Sequence, residues 1–257
     1  MHRLLLPFLL LSCILPSEVR VSAEQYYEVR SYLLGASGDA AAIDQYLGEA
    51  LIPALNRQNV GPVGVFSNAP SDEPENGRRI IVVIPHSGAD GVKAIQSSLQ
   101  SDPAYQQAAK PYLERGPKEA PHQRIESELL AAMKCMPALK VAPESLANAE
   151  RVYELRIYES ANERLGNLKV DMFDSGEVPI FLDSGIQPVF IGQAVVGPYT
   201  PNLSYLTVYP NDAARLEAWK AFRVHPDWQV LKEVAKYKGT VSKIHKYVLS
   251  PKPYSQM

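Results

Sequence analysis

Two spacings of apolar residues alternate along the chain. "YYEVRSYLL" (26–34), "VGPVGVFS" (60–67), "RRIIVVIP" (78–85) and "HQRIESELL" (122–130) alternate with period two or run continuously apolar, and predict strands. Between them, "GDAAAIDQYLGEALIPALNRQN" (38–59) repeats apolar residues at helical spacing through Ile43, Tyr46, Leu47, Leu51 and Leu55. Asp39 is its candidate N-cap, and Pro53 predicts a bend in its later part. "ADGVKAIQSSLQSDPAYQQAAKPYL" (89–113) predicts a second helix that breaks near Pro103. The order is βαββαβ.

The second half repeats that order. "RVYELRIY" (151–158), "QPVFIGQAV" (187–195), "LSYLTVYP" (203–210) and "VSKIHKYVLS" (241–250) predict strands. "NERLGNLKVDMFDSGEVPIFLDSG" (162–185) and "AARLEAWKAFRVHPDWQVLKEVAKY" (213–237) predict helices broken near Pro179 and Pro226. The halves keep register. Tyr153 follows Tyr27 by 126 positions, as Pro179 follows Pro53, and the offset shortens gradually toward the C-terminus. Small length changes in loops produce such a drift. The fold class is therefore α+β: two tandem ferredoxin-like units, 24–130 and 151–251, joined by a linker over 131–150 and followed by a tail over 252–257. Each unit covers one sheet face with its helices. The bare faces then pack on each other as an intramolecular α/β barrel.

Alternation splits the repeated first strand into two rows. Tyr27, Val29 and Ser31, and Tyr153, Leu155 and Ile157, are assigned to the helices. Glu28, Arg30 and Tyr32, and Glu154, Arg156 and Tyr158, are then expected to face the space between the sheets. They form either paired structural charges or a polar patch that orients a ligand. His225, ahead of Pro226, reads as a helix cap, and His245 as a lone strand histidine. Both are secondary site candidates. Trp219, Phe222 and Trp228 read as core-facing helix positions.

The first residues differ from the rest. "MHRLLLPFLLLSCILPSEVRVSA" has a basic opening at Arg3, a short apolar run and a small-residue site, the pattern of a signal peptide over 1–23 with cleavage after Ala23. The protein is thus expected to be secreted or periplasmic. A lipobox-like "LLSC" allows lipidation at Cys13 as an alternative, which would tie it to a membrane. After cleavage at Ala23, Cys135 is the single cysteine, so no internal disulfide forms. The formal net charge is −2, which gives a nucleic-acid backbone nothing to attract. His86 and His122 have no partner at metal spacing. No metal-ligand, nucleophile-elbow or phosphate-loop motif is present, so neither a metal nor a cofactor is expected.

The second half resembles the NIPSNAP family. The resemblance rests on "RVYELRIYES", on "PVFIGQAVVGP…SYLTVYP" and on "AWKAFRVHPDW". The first half resembles a diverged copy, keeping "YEVRSY" and "DPAY" but with Tyr105 where the second has Trp228. The resemblance implies the dimeric α/β-barrel superfamily, built as a monomeric pseudo-dimer or a homodimer. It implies no particular reaction, because relatives in that superfamily include cofactor-free monooxygenases and haem-binding enzymes. The leading expectation is an exported protein that binds a small molecule or a partner between its sheets. A monooxygenase-like or haem-binding enzyme and a purely structural interaction module are the alternatives.

Overall fold

The computed structural model describes residues 24–257. The expected signal peptide, its cleavage position and Cys13 lie outside the described residues. Strand β1 (Tyr26–Leu33) leads into α1 (Ala40–Gln45), which winds through a π-helical turn, Tyr46–Leu51, into α2 (Ile52–Arg57). Then follow β2 (Gly64–Asn68), a short α3 (Glu73–Asn76), β3 (Arg79–His86), α4 (Gly91–Gln100), α5 (Pro103–Leu113) and β4 (Arg124–Ala132). The linker carries α6 (Pro143–Ala147). The second unit runs β5 (Val152–Glu159), α7 (Glu163–Met172), a π-helical turn Phe173–Glu177, α8 (Val178–Asp183), β6 (Gln187–Val196), β7 (Asn202–Tyr209), α9 (Asp212–Val224), α10 (Pro226–Leu231) and β8 (Lys243–Pro251).

The caps explain the helix starts. Asp39, Asp102, Asn162 and Asn211 accept hydrogen bonds from backbone amides in the first turns of α1, α5, α7 and α9. The bend expected at Pro53 takes the form of a π-helical turn just before it, and the second unit places one just before Pro179. A π-turn admits an extra residue, so a proline can follow without losing a regular i→i−4 bond.

The eight strands close into one barrel in the order β1-β3-β2-β8-β5-β7-β6-β4. Every described pairing is antiparallel. Within each unit the order is that of a ferredoxin-like sheet. Closure comes from β2 pairing with β8 and β4 pairing with β6, the second strand of each unit on the fourth strand of the other.

Three apolar clusters follow. One draws Tyr27, Val29, Phe66, Ile81, Leu130, Leu155, Phe190, Leu206 and Tyr247 from all eight strands and no helix, so it is the barrel interior. The other two pack each unit's helices on its outer sheet face. An eight-stranded barrel is just wide enough for its own side chains to fill it. Met257 closes one end: its side chain is fully buried, against Gly64, where a Cβ would lie 2.7 Å from the Met257 sulfur.

This packing reverses the expected facing of the repeated rows. Tyr27 and Val29, and Tyr153, Leu155 and Ile157, point into the barrel, while Tyr32 and Tyr158 sit in the helix-side clusters. The barrel interior is mostly apolar, so it takes the apolar row; its buried polar groups include Glu128, held by Asn202 and Ser204. The charged row lies under the helices, and in the second unit Arg215 of α9 reaches it. The space between the sheets is filled, which corrects the expectation of a ligand there. Among the described residues, no helix is long and apolar enough to cross a membrane.

Candidate functional site

The two Glu-Arg-Tyr rows are similar at their centre and different around it. In the first unit Arg30 donates from Nε and Nη2 to Glu28 Oε1, at 2.9 and 2.7 Å, and the buried His86 places Nε2 3.5 Å from Glu28 Oε2. Burial opposes the Glu28 charge, but His86 and Arg30 more than offset it and hold the carboxyl below its ordinary value. In the second unit Glu154 is wholly buried and held from both sides: Arg156 Nε donates to Oε1 at 2.5 Å and Arg215 Nη1 of α9 to Oε2 at 2.5 Å. The Arg156 guanidinium lies 3.5 Å over the Trp219 ring and donates to the Tyr158 hydroxyl at 3.3 Å. Tyr205 donates to the same hydroxyl at 2.7 Å. Arg30 and Arg156 are thus each paired with the carboxylate two residues earlier, as paired structural charges would be.

Around this core the units diverge. At the 126-residue offset, Lys169 and Glu177 of the second unit replace Ile43 and Leu51 of the first. All four side chains are buried. Lys169 Nζ donates to Glu177 Oε2 at 2.7 Å and lies 3.4 Å from the Met172 sulfur. It faces the rings of Phe173, Tyr158 and Trp228 at 4.8, 5.4 and 5.8 Å. The π-helical turn ends on Glu177 and turns its carboxyl inward. Burial raises the Glu177 carboxyl above its ordinary value, despite Lys169 and Arg156 nearby. On the sheet, Tyr205, Thr207 and Tyr209 of β7 stand where β3 has Ile80, Val82 and Ile84 at an offset of 125. The same layer is polar in one unit and apolar in the other.

Lys169 lines an open cleft of about 410 Å³ between α7, α10 and the chain after it, with Met172, Trp228, Lys232, Tyr237 and Thr240. A larger groove, about 1000 Å³, runs beneath the linker between Met136, Leu139 and Val141 on one side and Val178, Leu182, Pro188 and Tyr209 on the other. Its guanidinium, Arg151, is occupied by the carbonyls of Asn148 and Met257. Cys135 borders the groove, and burial pushes its thiol up to about 12.

The secondary candidates lie apart. His225 caps α10, accepting from the Asp227 amide at 3.2 Å. His245 alternates with Tyr247 on the barrel-facing side of β8, against the Glu159 carboxylate and 4.3 Å from the Tyr199 ring. Nearby on that inner face, Glu128 accepts from Asn202 at 2.6 Å and Ser204 at 3.0 Å, and its burial raises the carboxyl. The cavity beside Glu128 is about 20 Å³, room for little more than a water. Among the described residues no three His, Cys, Asp or Glu side chains gather as metal ligands. No histidine lines the groove or the cleft, and the Cys135 thiol is far from a thiolate.

The NIPSNAP family model matches residues 153–256, the second unit from β5 onward. No curated protein sequence matches the chain. Among solved structures, a candidate monooxygenase from Lactobacillus acidophilus NCFM superposes with a TM-score of 0.57 and 11% identity, covering 89% of this chain and 94% of that one. Another, from Fusobacterium nucleatum subsp. nucleatum, gives 0.57 at 12% identity over 89% and 93%. Both likenesses establish a shared fold. A NIPSNAP-like domain protein from Burkholderia xenovorans covers 42% of this chain and 90% of its own, at 16% identity and a TM-score of 0.38.

Lys169 and Glu177 were not among the sequence candidates, although a residue-by-residue comparison of the two halves exposes them. Their energetics follow from the first unit's example. Lys169→Met strands a buried carboxyl and is expected to cost about 3–5 kcal/mol in urea unfolding. Lys169→Ile with Glu177→Leu, the first unit's pair, is expected to stay within about 1 kcal/mol of the parent. Equal losses in single and double variants would show that the pair holds the fold.

Glu128 gives a pH signature. Its folded pKa is raised, so its contribution is fully present below the unfolded value, about 4.3, and is lost as pH rises through the folded one. Glu128→Gln should therefore gain stability relative to the parent as pH rises above about 4. A constant difference between the two from pH 3 to 7 would refute this.

Proposed function

We propose that the protein is an exported small-molecule-binding protein whose second unit does the binding. The ligand sits in the cleft lined by Lys169, whose ammonium is paired with the buried Glu177 carboxylate. The observation that carries this reading is the internal contrast. One duplicated layer folds with Ile43 and Leu51, so a buried ion pair at the same place is not needed to build it. Buried charge maintained at a cost, beside an open cleft, is the ordinary mark of a binding site.

A second reading is favoured by one observation, the volume of the groove beneath the linker. About 1000 Å³ with Leu139, Val141, Val178 and Leu182 on its walls suits an apolar ligand of drug size. The monooxygenase-like alternative takes support only from the shared fold. The structural-module alternative gains from the full pairing of Glu154 and Arg156 but leaves Lys169 without a purpose.

Native mass spectrometry of the purified protein tests the site. The parent is expected to carry, or take up from a metabolite extract, a small molecule that the Lys169→Ile, Glu177→Leu variant loses while keeping its fold. A Val141→Trp variant, which fills the groove, should retain it. The reverse pattern would transfer the ligand to the groove, and no bound mass in any variant would leave the structural module.

Export is proposed from the signal-peptide pattern, with Cys13 lipidation as its alternative. Intact-mass analysis of protein from the secreted or periplasmic fraction should give a chain beginning at Glu24. A chain retained inside the cell with Met1 would refute export, and a lipidated Cys13 start would replace soluble release with anchoring.

A further inference from the structure

We infer that Lys169 is an amine nucleophile for a small aldehyde, which it holds as a reversible imine in the cleft, with Glu177 carrying the protons. This rests on the reading of that cleft as the ligand site.

Three features point to it. The first is supply. The Lys169 ammonium has three N–H donors, but one oxygen acceptor, Glu177 at 2.7 Å, and one weak sulfur, Met172 at 3.4 Å. Glu177 is the group within reach to take a proton from Lys169. Burial raises the Glu177 carboxyl. The second is access: Lys169 is among the residues that line the cleft, while its side chain is only 5% exposed. The third is the surroundings. The rings of Phe173, Tyr158 and Trp228 lie 4.8 to 5.8 Å from the nitrogen and stabilise a cation there. An iminium ion is such a cation, and its substituent is an apolar or aromatic group that the same rings accept.

The chemistry balances without an oxidant or reductant. Lys169 passes one proton to Glu177 across their 2.7 Å contact, and the amine so formed attacks the carbonyl carbon, forming the C–N bond and sending the C=O π pair to oxygen. That oxygen takes the Glu177 proton. The nitrogen, now cationic, returns a proton to Glu177. Glu177 then protonates the hydroxyl, the C–O bond breaks, water leaves, and the nitrogen lone pair closes the C=N bond. An iminium remains beside a Glu177 carboxylate, so the ion pair is restored with the ligand attached. Hydrolysis reverses each step.

The test is reductive trapping on the full exported chain. Protein is incubated with 4-carboxybenzaldehyde and cyanoborohydride, and the adducts are mapped by peptide mass spectrometry. The expected result is a secondary-amine adduct on Lys169 that forms at least about tenfold faster than on the exposed Lys232 or Lys238. Lys169→Arg, which keeps the charge, should fold and give no adduct there. Glu177→Gln should slow trapping about a hundredfold, the loss of a positioned proton carrier. Adducts spread over exposed lysines without enrichment at Lys169 would overturn the inference. Saturable binding of the aldehyde, read as a thermal shift, without trapping at Lys169 would also overturn it and leave the cleft as a binding site. Neither binding nor trapping would remove both.

Discussion

Two strand pairings govern the molecule: β2 on β8 and β4 on β6. They turn two open sheets into one barrel with no edge, and they make the barrel's apolar core common property of both units. Neither unit can keep that core without the other. Once the barrel is closed around its mostly apolar interior, the repeated Glu–Arg pairs are matched in the helix-side layers, Glu28 with Arg30 and Glu154 with Arg156.

The strands, the helices and the duplicated order were legible because period-two and period-3.6 patterns are strong in this chain. His225 was legible as a cap, since a polar residue ahead of a proline at the first helical turn has few other uses. The direction of the repeated row was not legible. Alternation separates two faces but does not label them, and the label depends on whether the sheets close. An open sheet packs its apolar face on its helices. A closed eight-stranded barrel turns that face inward and leaves the helices the polar one. The rows could be grouped from the sequence, but only the barrel oriented them.

Lys169 and Glu177 were hidden for a different reason. They are eight residues apart on a helix, a spacing that places two side chains at different heights unless the helix is distorted. The π-helical turn Phe173–Glu177 supplies that distortion, and it cannot be read from composition. What could have been read is the substitution itself. Setting the halves side by side shows apolar residues exchanged for charged ones at core positions, and a protein rarely makes that exchange for stability.

The linker over 131–150, with its short helix Pro143–Ala147, makes this divergence possible. In a barrel formed by two identical chains, every substitution appears twice, so each half must tolerate whatever the other needs. Joining the halves covalently removes that symmetry. One half can keep apolar residues where the other takes buried charge, as Ile43 and Leu51 stand against Lys169 and Glu177, and both halves rest on the shared core. A barrel so built has no equivalent halves, so a feature of one unit, such as the Lys169–Glu177 pair, occurs once per barrel.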